Sequence, residues 1–137
     1  MRTMNNMDKM KILLVDDDYQ LGFTLKSFLE INGFFVEYVE NGFLALEKLK
    51  NDNFQLIIMD ILMPGIDGIE VYKRLKNKEK IKVIFISAYL PEEKKRELKN
   101  LGITDYLEKP FALESLIAKI NNLNSLAEEE GESACYL

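Results

Sequence analysis

The chain has no histidine. That excludes histidine-based acid–base catalysis, a Ser-His-Asp triad and a phosphohistidine carried by this chain, along with the usual histidine-containing zinc sites. There is one cysteine, Cys135, so no internal disulfide can form; its oxidation would instead join two chains. No apolar run approaches the roughly 18 residues needed to span a bilayer. The stretch Met1-Arg2-Thr3-Met4-Asn5-Asn6-Met7-Asp8 lacks the apolar core of a signal peptide. A cytoplasmic location without membrane attachment is therefore expected. Excess positive charge is also missing. The net charge is −5 and the pI about 4.9, whereas phosphate backbones reward clustered cations. No recognition helix is present, so direct nucleic-acid binding is not expected. Whatever chemistry the chain performs must use carboxylates, lysine and hydroxyls.

What is there is an ordinary globular balance, 47% hydrophobic and 30% charged over 137 residues, enough for one domain with one core. Residues 1–10 read as a polar arm, residues 11–126 as the folded domain, and residues 127–137 as an acidic, disordered tail. Short apolar runs predict strands at Lys11–Val15, Phe34–Val39, Phe54–Asp60, Ile81–Ile86 and Ile103–Leu107. Between them, helical spacing links Leu21, Leu25, Phe28 and Leu29, then Ala45, Leu46 and Leu49, then Val71, Tyr72 and Leu75. A fourth helix opens at Pro91-Glu92-Glu93, with Pro91 expected at its first position and the acids at the positive dipole end. The last helix carries Leu113, Leu116, Ile117 and Ile120. Asn41 is a reasonable N-cap, and Asp67-Gly68-Ile69-Glu70 has the spacing of a capping box. The strands are apolar throughout, so both sheet faces should be covered by helices. Five strands alternating with five helices, joined by short right-handed crossovers, give a doubly wound parallel α/β/α sheet.

In such a sheet every strand's carboxyl end lies on one edge, where ligands bind. That edge receives Asp16, Asp17 and Asp18 from the first strand, Asp60 from the third, Ser87 from the fourth and Lys109 after the fifth. Asp60 is expected to point out of the core. Carboxylates gathered within a few ångströms repel and raise one another's pKa. Lys109 offsets one charge, and a hard divalent ion, Mg²⁺ first, supplies two more. The set suits phosphoryl transfer, which needs positioning and charge neutralisation. An ionised Asp needs no base to act as nucleophile. Asp18 is read as a helix cap before it is read as a ligand.

At these residues the chain resembles the receiver domains of two-component response regulators, of the single-domain chemotaxis-regulator kind. Ile12-Leu13-Leu14-Val15-Asp16-Asp17 is similar to the family's acidic pair. Met59-Asp60-Ile61-Leu62-Met63-Pro64-Gly65-Ile66-Asp67-Gly68 is similar to its phosphoacceptor motif. Ser87-Ala88 is similar to its Thr/Ser switch, and Glu108-Lys109-Pro110-Phe111 to its Lys-Pro element. The match runs over roughly residues 10–124. The resemblance implies the flavodoxin-like strand order 2-1-3-4-5. It implies that Asp60 accepts a phosphoryl group from a histidine kinase or histidine phosphotransferase, with Mg²⁺ held by Asp17, by Asp16 largely through water, by Asp60 and by the Leu62 carbonyl. It implies a cis Lys109–Pro110 bond, a Ser87/Tyr106 switch that controls an output partner, and no metabolite turnover beyond self-phosphorylation and self-dephosphorylation. Homodimerisation through the last two helices is compatible with the sequence.

Four further readings stay open. Phe23 falls off the apolar stripe of the first helix and is expected in solvent, where it either docks a kinase or packs locally; Phe43 and Leu44 also occupy exposed positions. Lys94, Lys95, Arg96 and Lys99 form either a solvated face or a surface for an acidic partner. Asp16-Asp17-Asp18 also fits the Asp-x-Asp of haloacid-dehalogenase-like phosphatases. Gln20 stands there in place of a small or branched residue, and 137 residues leave no room for a cap domain. A receiver that binds partners without phosphorylation is the remaining alternative.

Overall fold

The computed structural model describes residues 9–123. The acidic tail, Cys135 and nearly all of the N-terminal arm lie outside the described residues. The strands are β1 (Lys11–Val15), β2 (Phe35–Val39), β3 (Leu56–Asp60), β4 (Lys82–Ser87) and β5 (Leu107–Glu108). They alternate with α1 (Tyr19–Ile31), α2 (Gly42–Asn51), α3 (Gly68–Arg74) and α4 (Glu92–Asn100), and a fifth helix, α5, begins at residue 113. All neighbours in the sheet are parallel, and the order is β2-β1-β3-β4-β5. The doubly wound architecture and the 2-1-3-4-5 order are as expected.

Side chains alternate across a strand, and that alternation splits the core in two. Leu13, Val15, Ile57, Met59 and Phe85 pack on one face with Ala45, Ile69, Val71 and Leu98 from α2, α3 and α4. Ile12, Leu14, Ile58, Ile84 and Ile86 pack on the other with Leu25 and Leu29 of α1 and Leu116 and Ile120 of α5. Each such side chain removed from water contributes roughly 1.5–3 kcal/mol before entropy is counted. The central strand β3 is buried at all five positions, which fixes where its last residue, Asp60, must lie.

Polar side chains secure the helix starts. Asp18 Oδ1 accepts from the Leu21 amide at 3.2 Å, and Asn41 Oδ1 from the Leu44 amide at 2.8 Å. Asp67 Oδ1 accepts from the Glu70 amide at 2.8 Å. The expected capping box is half made, because Glu70 Oε2 turns to Arg74 Nε at 3.0 Å. Pro91 stands one place earlier than expected, as the N-cap of α4 with ψ 153°.

The fifth strand is shorter and later than the apolar run Ile103–Leu107 suggests. It pairs with β4 only through Ile86–Leu107 and Ser87–Glu108. The reason lies at the end of α4, where Gly102 adopts φ 81°. The Gly102 amide donates to the Lys99 carbonyl at 2.9 Å and the Ile103 amide to the Leu98 carbonyl at 2.8 Å. This is a Schellman closure. It holds the chain against its own helix, so the segment reaches β4 only near Lys109. Phe54 and Gln55 likewise precede β3 rather than join it; Gln55 Oε1 accepts from the Lys11 amide at 2.7 Å.

Candidate functional site

Among the described residues the buried polar ones are Asp16, Asp60 and Ser87, and all three stand at carboxyl ends of adjacent strands. Burying a carboxylate without a partner is costly, so their surroundings account for them. Lys109 is fixed by its own backbone, whose amide donates to the Ser87 carbonyl at 2.8 Å. Its Nζ lies 2.9 Å from Asp60 Oδ2, aligned as a hydrogen bond. The same Nζ lies 2.8 Å from Asp16 Oδ2, which is a close charge contact without that alignment. The Lys109–Pro110 bond is cis.

Asp60 does not point out of the core as expected. Its side chain is only 7% exposed, because the chain folds over it. The Leu62 amide donates to Asp60 Oδ1 at 3.3 Å, and the Gly68 amide donates to the Ile61 carbonyl at 2.8 Å. Burial pushes the Asp60 carboxyl above the ordinary aspartate range. The hydrogen bond from Lys109 opposes that, and the negative charge of Asp16 and Asp17 adds to it. For Lys109, burial favours the neutral amine, but its close contacts with the Asp16 and Asp60 carboxylates prevail and hold its pKa up.

Three of the four polar atoms of Asp16 are hydrogen-bonded; only Oδ2 is not. Its amide donates to the Val39 carbonyl at 3.3 Å. Its carbonyl accepts from the Tyr38 hydroxyl at 2.6 Å, and its Oδ1 accepts from the Asp18 amide at 2.8 Å. Asp17 is exposed. Carboxylate oxygens of Asp16, Asp17 and Asp60 all lie within 4.8 Å of one another. Three carboxylates against one ammonium leave two negative charges, and an all-oxygen donor set of this kind suits a hard divalent cation. The residues therefore fit Mg²⁺. Asp18 stands apart from them as the cap of α1.

The remaining expected residues are placed less directly. Ser87 is buried, and its Oγ donates to the Tyr89 carbonyl at 3.0 Å, within its own loop. Tyr106 is half-buried against the α2–α3–α4 core cluster and lines a groove with Lys95, Leu98, Lys99 and Ile103. Leu62 and Tyr89 are exposed at 39% and 73%. Phe23 is 55% exposed, yet it also packs, with its ring centroid 5.5 Å from Tyr19 and 5.8 Å from Tyr38. Phe43 and Leu44 are exposed as expected. The cations of α4 are less free than the sequence suggests. Lys94 bonds Asp67 at 2.8 Å and Glu97 at 3.3 Å, and Lys95 pairs with Glu92.

Sequence reasoning missed two contacts: Tyr38 on the Asp16 carbonyl and Lys94 on Asp67. The first is set by the β1–β2 register, which pairs Leu14 with Tyr38 and Val15 with Val39. The second joins residues 27 apart. Neither leaves a local pattern.

Comparison with known proteins agrees with this geometry. The family model of the response regulator receiver domain matches residues 12–121. The transcriptional regulatory protein CrdR of Helicobacter pylori is 41% identical over 112 residues, which are 80% of this chain and 53% of that protein. ResD of Bacillus subtilis is 32% identical over 120 residues, 88% of this chain and 50% of that protein. The chain thus spans about half the length of the curated relatives it matches. Among solved structures, a CheY-like receiver domain from Methanospirillum hungatei superposes with a TM-score of 0.82 at 31% identity, covering 89% of this chain and 98% of its own. CheY4 of Vibrio cholerae gives 0.75 at 30% identity, covering 83% and 98%. The chain belongs to the receiver-domain family of two-component response regulators.

Proposed function

We propose that this receiver accepts a phosphoryl group on Asp60 from a partner's phosphohistidine. The observation that carries the reading is the position of Lys109, whose single ammonium bridges Asp16 and Asp60 at 2.8 and 2.9 Å. An Asp60 oxygen attacks phosphorus as the phosphorus–nitrogen bond to the partner's imidazole breaks, giving an acyl phosphate and a free histidine on the partner. Lys109 pairs with a phosphoryl oxygen as charge builds there. Asp16, Asp17, Asp60 and the Leu62 carbonyl would hold Mg²⁺. When bound, that ion neutralises phosphoryl charge and orients the group for in-line transfer.

Ser87 completes the reading. Its hydroxyl exchanges the Tyr89 carbonyl for a phosphoryl oxygen. Tyr106, half-buried beside α4, then redistributes between two positions, and the surface around α4 and β5 changes for an output partner. The chain carries its phosphoryl group once per signal in the cytoplasm and turns over no metabolite.

The test is intact mass after incubation with Mg²⁺ and acetyl phosphate, with Asp60→Ala alongside. A single phosphoryl adduct that vanishes in the variant supports Asp60 as acceptor. An adduct that persists in Asp60→Ala moves the nucleophile to another carboxylate and overturns the reading.

A further inference from the structure

The geometry points to Tyr38 as a positioning residue that sets the Asp17 carboxylate for the divalent cation. This inference rests on the receiver reading above and adds to it a part that lies on no active-site loop. Tyr38 comes from β2, the strand at the edge of the sheet, and its hydroxyl donates to the Asp16 carbonyl at 2.6 Å. That carbonyl belongs to the peptide linking Asp16 to Asp17. A peptide unit is planar, so fixing its oxygen fixes the direction in which the chain enters Asp17. The Asp16 amide, 3.3 Å from the Val39 carbonyl, and the Asp16 side chain are tied separately. Asp17 itself is exposed and makes no side-chain hydrogen bond or ion pair with any described residue. Of the three carboxylates it is the one whose aim depends on the backbone beneath it.

The ring that carries this hydroxyl is itself seated. It packs edge-on to Tyr19, with centroids 5.8 Å apart, and tilts against Phe23 at 5.8 Å. Beneath it lies Gly22 of α1. A Cβ on Gly22 would stand 2.4 Å from Tyr38 Cε1 and 2.6 Å from Cζ, so the ring occupies a notch that only glycine leaves open. Together these contacts form a support behind the acidic pair that reaches the surface at Tyr19 and Phe23, which are 52% and 55% exposed.

The support predicts a separation between metal binding and fold. Tyr38→Phe keeps the ring in its notch and deletes only the bond to the Asp16 carbonyl. Gly22→Ala keeps the hydroxyl, favours helix α1 and displaces the ring. Both are expected to weaken Mg²⁺ binding about tenfold, the scale on which residues supporting metal ligands act. In the double variant the losses should not add, since both act through one bond. The experiment is calorimetric titration with Mg²⁺ alone on the wild type and the three variants, with melting in EDTA as the control on fold. Weakened Mg²⁺ binding at an unchanged EDTA melt supports the proposal. Wild-type affinity in Tyr38→Phe overturns it; should that variant fail to fold, wild-type affinity in Gly22→Ala does so. A wild type that binds no Mg²⁺ overturns the receiver reading itself, and is distinguished from the other outcomes by the same titration.

Discussion

The Lys94 ammonium meets the Asp67 carboxylate at 2.8 Å, while the other Asp67 oxygen caps α3 through the Glu70 amide. One aspartate therefore starts one helix and ties the next to it. Asp67→Ala removes both contacts. The expected loss is about 1 kcal/mol for the cap and about 0.5 kcal/mol for a partly solvated ion pair. Asp67→Asn keeps the cap, since asparagine caps as well as aspartate, and should lose only the smaller amount. Urea melts of the three proteins check this; equal losses in the two variants would mean the cap contributes nothing.

The same contact sets a pH dependence. Burial alone would raise the Asp67 carboxyl, but the hydrogen bonds from Lys94 and the Glu70 amide outweigh it and hold the pKa below the ordinary value. A value depressed in the fold gives stability that is fully present above the unfolded pKa and is lost as pH falls through the folded one. The gap between wild type and Asp67→Asn should be steady between pH 7 and about 5, then narrow below about pH 4. Melts across that range decide it, and a gap unchanged at the acid end would contradict the assignment.

Asp60 has the opposite sign. Its carboxyl is raised, chiefly by burial, so the folded chain takes up a proton more readily than the unfolded one and gains stability as pH falls. At neutral pH the ionised carboxylate costs stability. Asp60→Asn is expected to stabilise the metal-free protein by about 1 kcal/mol, the usual scale for relieving a strained functional group. That gain should shrink as pH falls and the native Asp60 becomes neutral. Thermal melts in EDTA from pH 7 downward test both parts, and a gain that stays constant to the acid end would contradict the assignment.

Removing the bridging cation should do the reverse. Lys109→Ala leaves the Asp16 and Asp60 carboxylates buried against each other with no counter-charge. Breaking a buried pair from one side costs about 3–5 kcal/mol, and added Mg²⁺ should recover part of that because it supplies charge at the same place. Denaturation with and without Mg²⁺ measures it. A Lys109→Ala protein as stable as wild type in EDTA would show that the ammonium is not what makes the burial tolerable.

These contacts differ in how far the sequence reveals them. Asp16, Asp60, Ser87 and Lys109 are legible because each follows a run whose apolarity marks it as a strand, and a parallel sheet brings all such ends to one edge. Asp18 and Asn41 are legible as caps because capping is local. The end of α4 is not, because the apolar run Ile103–Leu107 signals a strand while the bond from the Ile103 amide to Leu98 takes its first residue away from the sheet. Tyr38 reads as one more strand residue until the β1–β2 register places it beside Asp16. Lys94 reads as one of four solvated cations until α3 and α4 are packed together.

Gly68 is a case where a local rule gives the wrong sign. It opens α3, and alanine in a helix is ordinarily better than glycine by about 1 kcal/mol. Here a Cβ would stand 2.4 Å from the Asp60 carbonyl oxygen and 3.1 Å from the Ile61 Cα. Those are backbone atoms, so the β3–α3 connection itself would have to move. Gly68→Ala is expected to destabilise by more than 1 kcal/mol, within the usual range for overpacking, and to slow acetyl-phosphate labelling by shifting Asp60. A variant at least as stable as wild type would show that the loop yields freely.

The lifetime of the phosphoryl group should depend on what covers it. Leu62 and Tyr89 stand two residues beyond Asp60 and Ser87 and are the exposed large side chains on those two loops, at 39% and 73%. Hydrolysis of the acyl phosphate requires a water held in line with the carbon-bound oxygen and phosphorus. Leucine offers that water no hydrogen bond. Asn at position 62 would supply both a donor and an acceptor. Leu62→Asn is expected to shorten the half-life of the phosphorylated protein severalfold, a fraction of the 10²–10⁴-fold available to a fully placed general base. Decay of the adduct by intact mass after removal of acetyl phosphate measures it. Equal half-lives for wild type and Leu62→Asn would mean that water reaches the phosphoryl group by a path this side chain does not control.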